Sequence, residues 1–474
     1  MAERITADIC VVGGGSGGLS VAAGASQMGA RTVLIEGGKM GGDCLNYGCV
    51  PSKSMIAAGH AAHNFARAGL FGVSGSRPSV DFGQVNDHVH DVIAGIAPHD
   101  SVERFEGLGV RVLQHYGRFL SPTEMEAGGV TVQARRFIVA TGSSATVPPI
   151  DGIAEVPHFT NETIFDNREI PKHLIVIGGG PIGMELAQAH RRLGSAVTVL
   201  EMFKAMGRDD PELADIVKSE IRAEGVEILE GIKILRVRAA TEGIVVAIDR
   251  DGAEQAVAGS HLLVAAGRKA NVENLNLEAA GIDYTPKGIT VDARLRTTNK
   301  KVFAIGDVAG GYQFTHVAGY HAGIVIRNAL FRLPAKADHS TVPWVTYTDP
   351  ELANVGLSEA EAEKQHDGIR VLRFDFAEND RARAERSTTG MIKAVTNKRG
   401  RILGAGIAGP HAGELILPWV LAMSQKLKIG SLANVIVPYP TLGEVSKRAA
   451  GSYYTPSLFS PKTRSIVRFL SRFG

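Results

Sequence analysis

Two stretches of the chain repeat one pattern of apolar and polar positions. The short apolar run Asp8-Ile9-Cys10-Val11-Val12 gives way to Gly13-Gly14-Gly15-Ser16-Gly17-Gly18 and then to a helical stretch. Leu174-Ile175-Val176-Ile177 leads in the same way into Gly178-Gly179-Gly180-Pro181-Ile182-Gly183. Apolar runs of this length, bounded by glycine, predict buried strands, so each copy reads as strand, tight turn and helix. Each copy then enters a second apolar strand, Thr32–Ile35 or Ala196–Leu200, that ends in an acid. The acids, Glu36 and Glu201, both fall 18 residues after the last glycine of their turn.

That spacing carries chemistry. In G-x-G-x-x-G, the first glycine makes the turn and the second admits a pyrophosphate against bare backbone. The third lets helix and strand pack closely. The helix N-terminus presents unpaired N–H groups to the phosphates, and the acid accepts from a ribose hydroxyl. Gly13, Gly15, Gly18 and Glu36 form one such set, and Gly178, Gly180, Gly183 and Glu201 the other. Two dinucleotide sites in one chain suggest one cofactor held permanently and one exchanged, as in a flavin–nicotinamide enzyme.

Later segments fit this picture. Val302-Phe303-Ala304-Ile305-Gly306-Asp307 reads as a strand ending in Gly-Asp, able to place a carboxylate on a sugar-like chain. Phe137 to Ser143, through Thr141 and Gly142, and His261 to Gly267 read as strands whose small terminal residues leave room for a cofactor; plain strand exits are the alternative. Pro148-Pro149 and Gly152 mark a boundary. Beyond about residue 340 the texture becomes α+β: Thr341–Leu357 alternates like strands and Phe374–Lys393 reads as a strand pair around an arginine-rich stretch. Ile416–Lys426 and Ser431–Val435 read as helices.

Composition narrows the class. At 474 residues, with 44% hydrophobic and 21% charged positions, the chain has the balance of a globular enzyme of about three domains. Its net charge of +2 is too small for an electrostatic grip on nucleic acid. The 56 glycines exceed the usual share of roughly 7%, in keeping with many tight turns. No run of 18 apolar residues occurs, so no membrane span is expected. Three cysteines build no disulfide framework, and Met1–Ala7 shows no secretory apolar region. A cytoplasmic location is the expectation.

Cys10 lies inside the first strand and reads as a core thiol. Cys44 and Cys49 sit in Gly41-Gly42-Asp43-Cys44-Leu45-Asn46-Tyr47-Gly48-Cys49-Val50-Pro51-Ser52-Lys53, just beyond the first ribose acid. Five residues of regular helix would separate them by about 7.5 Å along the axis, beyond disulfide reach. Gly48 could supply a distortion, and Pro51 suits a first helical turn. Cys49 would then lie near a helix N-terminus, where its pKa falls. A redox pair is the favoured reading, with a metal pair or inert thiols as alternatives. Zinc would want two further ligands, and the chain has no second cysteine pair.

The Gly41–Lys53 segment strongly resembles the redox-active disulfide motif of the class I pyridine nucleotide-disulfide oxidoreductases, which include dihydrolipoamide dehydrogenase, glutathione reductase and mercuric reductase. The resemblance covers about residues 5 to 455, in the family's order of segments. It implies an α/β fold with two Rossmann-like FAD- and NAD(P)-binding domains and a C-terminal α+β dimerisation domain. The implied boundaries are 1–150 and 271–340 for the two parts of the FAD domain, and 151–270 for the NAD(P) domain. Residues 341–460 would form the interface domain of a homodimer, followed by a basic amphipathic tail at 461–474.

The resemblance also implies roles. Gly13, Gly15, Gly18 and Glu36 would hold the adenosine half of FAD, with Gly117 near the adenine and Asp307 on the ribityl chain. Cys49 would face the flavin as the charge-transfer thiolate, and Cys44 would exchange with the electron acceptor. Lys53 would sit near the flavin and pair with Glu185. Glu201 favours NADH, since a carboxylate repels a 2′-phosphate; Lys204 and Arg208 downstream leave NADPH open.

Two features depart from the family pattern. In its disulfide reductases a His-Pro pair near the C-terminus supplies a base, with a Glu five residues later. Here the segment reads Pro438-Tyr439-Pro440-Thr441-Leu442-Gly443-Glu444, so a phenol stands where the imidazole should be. Such a group accepts protons poorly at pH 7, which counts against dihydrolipoamide or glutathione disulfide as acceptor. Pro-Tyr looks more like the mercuric reductase core, although no C-terminal cysteine pair is present. His316, His321 and His411 read as packed or solvated histidines. The tail carries Lys462, Arg464, Arg468 and Arg472 and no acid. On a helical wheel Ile466, Phe469, Leu470 and Phe473 share an arc of about 100° with the arginines opposite. Packing on the dimer body is one reading; a foot on a membrane surface, or on a membrane partner, is the other. The chain therefore reads as an FAD-dependent NAD(P)H-disulfide oxidoreductase with an unidentified small-molecule or protein acceptor. Dihydrolipoyl dehydrogenase and a membrane-peripheral electron carrier to a quinone are the alternatives.

Overall fold

A computed structural model describes residues 3–75 and 79–473. The chain forms two compact units, 1–202 with 231–338, and 203–230 with 339–474. The first unit thus gathers both expected FAD segments and most of the expected nucleotide segment, while 203–230 belongs to the second.

The first unit is built on a seven-stranded sheet. Its strands β1 (Glu3–Val12), β2 (Thr32–Ile35), β3 (Val110–Leu113), β4 (Gly117–Ser121), β5 (Glu124–Ala127) and β6 (Val130–Val139) run in the order β3-β2-β1-β6-β5-β4, with Val302–Ala304 also pairing β6. β1, β2, β3, β6 and Val302–Ala304 are parallel. The register aligns their carboxyl ends: Val12 faces Ile35 and Val139, and Val139 faces Ala304. Gly13, Glu36, Ala140 and Ile305 each continue that ladder with a backbone N–H bond to a neighbouring strand. The glycine turn, Glu36, the Thr-Gly exit and the Gly-Asp segment therefore emerge along one edge, where open parallel sheets bind ligands.

Both faces of this sheet are covered, which explains the unbroken apolar runs. Ile9, Val11, Leu34 and Ile138 point to one core, and Cys10, Val12, Val33, Ile35, Phe137 and Val139 to the other. Cys10 is fully buried, and burial pushes its thiol pKa far up. It is a core residue with no route to thiolate chemistry. Helix α1 (Ser16–Gln27) and the helix Thr315–Ala329 contribute Leu19, Ala22, Ala322 and Val325 to the first core. The redox segment forms α2 (Gly42–Asn46) and α3 (Cys49–Arg67). Helices α4 (Phe82–Ile96) and α5 (Val102–Gly107) complete this part of the chain.

The second glycine turn sits on a smaller parallel arrangement. In it β8 (His173–Ile177) lies between β9 (Ala196–Glu201) and His261–Val264, followed by α6 (Pro181–Leu193), while β7 (Ser143–Ala145) pairs antiparallel with Arg268–Ala270 in a separate two-stranded sheet. Ile177 faces both Leu200 and Val264, repeating the register of the first site.

The second unit carries a five-stranded antiparallel sheet in the order Pro343–Thr346, Glu351–Gly356, Ile402–Gly409, Met391–Asn397, Ile369–Asp375. Trp419 is fully buried against it and donates from its ring nitrogen to Ser446 Oγ at 3.0 Å. Lys393 is nearly buried, and Asp210, Glu212 and Glu359 all lie within 3.0 Å of its Nζ. The strand pair expected at Phe374–Lys393 differs in detail. A short helix, Asp380–Ala384, starts where the Asn379 side chain accepts from the Ala382 N–H, and the returning strand runs on to Asn397. The expected helices at Ile416–Lys426 and Ser431–Val435 are Leu417–Ser424 and Ile429–Ala433. Among the described residues, no helix is long and apolar enough to cross a membrane.

Candidate active site

The two glycine turns are near copies in space. Gly13 and Gly178 have φ of +108° and +111°, and a Cβ on either would lie 2.3 Å and 2.4 Å from the oxygen of Ala140 and Ala265. A Cβ on Gly18 would stand 1.8 Å from Gly13 O, and one on Gly183 1.9 Å from Gly178 O. The first and third glycines are therefore required by the fold itself. The middle ones are not: among the described residues, a Cβ on Gly180 would meet no atom within 4 Å, and one on Gly15 only Gly42 Cα at 3.8 Å. Both middle glycines cap a helix start, at α1 and α6. Bare backbone at a helix N-terminus, with no intramolecular reason to be bare, fits a pyrophosphate. Glu36 accepts from the Gly14 and Gly38 N–H groups, and Glu201 from the Gly179 N–H at 2.8 Å. Each acid thus braces its own turn, and a carboxylate's further lone pairs leave capacity for a ribose hydroxyl.

The thiols lie against the first turn. Gly41 donates to Gly14 O, and a Cβ on Gly42 would come 2.7 Å from Gly15 Cα. Gly48 is the break that the regular-helix estimate demanded: α2 ends before it and α3 begins after it, so Cys49 is a helix's first residue. Both thiols are free in this structure and hydrogen-bond to each other. The bond from Cys44 lowers the Cys49 pKa from 9.0 to about 6; desolvation opposes the shift, and Thr315 (Oγ1 at 3.4 Å) and the Lys53 ammonium assist it. The same bond, aided by burial, pushes Cys44 well above the ordinary thiol value. Stabilisation from the Cys49 thiolate is thus full above the unfolded thiol's pKa and is lost as pH falls through about 6. At neutral pH the pair is one thiolate and one thiol.

Behind the thiols, Lys53 of α3 and Glu185 of α6 meet at 2.9 Å, with the carboxylate almost entirely buried. Lys53 lies one turn beyond Cys49, which puts its charge on the same helix face. Ser143 Oγ donates to Asp307 Oδ2, and burial raises the Asp307 pKa. Thr141 Oγ1 donates to Asn271 O, while Gly142, Gly267 and Gly306 all have positive φ. Gly117 is packed against Met125 Sδ and Ile35 Cγ2, where a Cβ would come within 3.1 Å. Sequence reasoning missed Ser16, which bonds to Cys44, and Thr315, which bonds to Cys49. Each is the first residue of a helix, and that position was the only signal.

Tyr439 and Glu444 belong to the second unit. Tyr439 is exposed and donates its hydroxyl to Asp380 Oδ2 at 3.0 Å, a bond that raises its pKa above the ordinary phenol value. Glu444 opens the helix Glu444–Ser452. His321 is buried and accepts the Gly306 N–H through Nδ1, so it braces the Gly-Asp segment. His316 is exposed and stacks on Phe314; His411 is also exposed and precedes the helix Ala412–Leu415.

Two dinucleotide cradles and a polarised dithiol beside the first define a nucleotide-dependent dithiol oxidoreductase. The chain belongs to the pyridine nucleotide-disulphide oxidoreductases: the family's model matches residues 7–322, and the model of its dimerisation domain matches 342–450. It is an FAD-dependent enzyme that uses a pyridine nucleotide and a disulfide redox centre. It is 33% identical to a mercuric reductase of Bacillus cereus, over 93% of this chain and 70% of that one. It is equally 33% identical to a dihydrolipoyl dehydrogenase of Geobacillus stearothermophilus, over 94% of this chain and 96% of that one. Among solved structures it resembles the HOCl-induced flavoprotein disulfide reductase RclA of Escherichia coli, with TM-score 0.84, 27% identity, 93% of this chain and 98% of that one covered. LpdA of Mycobacterium tuberculosis gives TM-score 0.85 and 26% identity, covering 95% and 99%.

Proposed function

We propose that this protein, as a homodimer, takes electron pairs from NADH and delivers them through Cys44 and Cys49 to an acceptor other than a thiol-disulfide couple. FAD, held by the Gly13–Glu36 turn and the Ser143–Asp307 pair, supplies two-electron exchange between nicotinamide and disulfide when bound. Reduced, the thiolate–thiol pair gives up two electrons and the single proton of Cys44 as it closes to the disulfide; a quinone takes that proton and one from solvent, and Hg(II) takes none. Cys44, kept protonated, is the exchanging thiol, and Cys49, kept ionised at the start of α3, is the sulfur that would meet the FAD, with Lys53 one turn further along the same helix. In the second site Glu201 disfavours a 2′-phosphate, which supports NADH over NADPH.

The observation that carries the choice of acceptor is Tyr439. Its proton is committed to Asp380 and held above the phenol range, so it cannot take a proton from an incoming thiol at pH 7. Acceptors that need no such base, Hg(II) or a quinone, are favoured over dihydrolipoamide. The NADH-reduced enzyme should be offered lipoamide, glutathione disulfide, Hg(II) and a quinone in parallel. Turnover with Hg(II) or the quinone is expected to exceed that with lipoamide by about 100-fold, the lower end of what a positioned base contributes. Fast dihydrolipoamide oxidation would defeat this choice.

We also read the tail as a peripheral membrane contact. In the helix Pro461–Leu470 no residue is buried, and Ile466, Phe469 and Leu470 are each about half exposed or more, as is Phe473 just beyond. A short helix is marginal in water without a surface to bury its apolar face, and a face flanked by four cations and no acid matches anionic lipid. The holoenzyme should sediment with phosphatidylcholine vesicles containing phosphatidylglycerol and lose that property on Phe469→Ser/Phe473→Ser substitution, with dye reduction unchanged. Failure to bind, or a substituted protein that becomes monomeric, would assign the helix to the dimer body instead.

A further inference from the structure

Arg268 makes two hydrogen bonds and one ion pair from one planar group. Its Nε donates to Ser143 Oγ at 2.8 Å, and its Nη2 donates to Ser143 O at 2.8 Å and reaches Asp43 Oδ1 at 2.9 Å. Its side chain is only 13% exposed, and the pairing of Arg268 with Ala145 on β7 fixes its backbone. Asp43 in turn touches both ends of the redox loop. It directly precedes Cys44, and its Oδ2 is so close to Gly48 that a Cβ there would lie 2.8 Å away. Gly48 is the residue before Cys49. Asn161 supports the same loop, donating to Asp43 Oδ1 at 3.5 Å and to Tyr47 O at 3.3 Å. Ser143 passes the chain of contacts on to Asp307.

We propose that Arg268 is a positioning residue for the thiol pair, acting through Asp43: it anchors the Cys44–Cys49 loop to the Ser143–Asp307 pair and neutralises the carboxylate beside Cys49. This goes beyond the acceptor reading and does not depend on it. The charged and titratable groups around Cys49 are Cys44, Lys53, Asp43 and, behind Lys53, Glu185; Asp100 lies against Gly41 at the loop's entry. Among these groups the Asp43 carboxylate directly opposes the thiolate. Leaving it unpaired places a bare negative charge beside a second one. A lysine cannot substitute, because a single ammonium on a flexible stem does not reproduce the fork that grips Ser143 twice and Asp43 once.

The test is the pH profile of iodoacetamide alkylation at Cys49 in the reduced holoenzyme, followed by peptide mass to separate it from Cys44. The unsubstituted protein should show a half-point near 6. Arg268→Gln and Arg268→Lys should each move it up by about one pH unit, slowing alkylation about tenfold at pH 5. Asp43→Asn combined with Arg268→Gln should return the rate to within about twofold of the original, because the opposing charge is gone. An unchanged profile in both single variants, or a double variant as slow as Arg268→Gln, would overturn the proposal; should Arg268→Gln not fold, Arg268→Lys decides. Visible flavin absorbance, recorded alongside, tests the cofactor reading separately, since colourless protein would defeat that reading and leave the alkylation result standing.

Discussion

Replacing Cys44 with serine is expected to abolish turnover with the physiological acceptor, by about 1000-fold or more, while NADH-dependent reduction of artificial dyes stays within about twofold. The asymmetry of the pair is the reason. Cys44 carries the proton and Cys49 the charge, so only together do they hold two electrons that can leave as a dithiol. A serine hydroxyl still donates to the Cys49 thiolate, so the local electrostatics survive while no disulfide can form. Dyes that accept electrons from the nicotinamide side need no thiol. Parallel steady-state assays with a dye and with the best acceptor of the panel would check this. Unimpaired turnover with that acceptor would mean that electrons bypass the sulfurs, which would favour a carrier reducing a quinone from the first site directly.

The second large effect separates the two nucleotide cradles. Gly18→Ala would drive a methyl group to 1.8 Å from Gly13 O, and Gly183→Ala would do the same to Gly178 O at 1.9 Å. Neither contact can be relieved by a side-chain rotation, because the opposing atom is backbone at a strand end. Each helix must therefore lift from its strand, at a cost above the usual 1–3 kcal/mol of overpacking. The Gly18 variant is expected to purify without yellow colour and with all activity lost. The Gly183 variant should keep its colour and lose at least about 100-fold in kcat/KM for the nicotinamide. Visible absorbance and NADH titration distinguish the two. A Gly183 variant that lost its colour while a Gly18 variant kept it would reverse the assignment of the cradles.

What could be read in the chain was local, and what could not was spread across it. Each glycine turn and its acid lie within about thirty residues, and the constraints on Gly13, Gly18, Gly178 and Gly183 come from atoms of the turn or of the neighbouring strand's exit. The placement of Cys49 at a helix start rested on Gly48 and Pro51, again neighbours in sequence. Lys53 and Glu185 were paired through resemblance alone, since they lie on separate helices. Arg268, Ser16 and Thr315 carry no pattern of their own: their partners arrive from distant segments that only the sheet order brings together. The strand pair flanking the arginine-rich stretch was legible and is present, whereas the short helix inside it, started by the capping side chain of Asn379, was not read.

The mutual hydrogen bond of the two thiols has one more consequence, for survival under peroxide. An ionised sulfur at a helix start is the first group in the molecule that hydrogen peroxide would attack, giving a sulfenic acid and hydroxide. The protonated sulfur already in contact with it would condense with that sulfenic acid, release water and leave the cross-link that the next hydride equivalent reopens. An oxidative hit on Cys49 thus ends in a state that the working cycle already visits, so the lesion is repaired with no dedicated rescue partner.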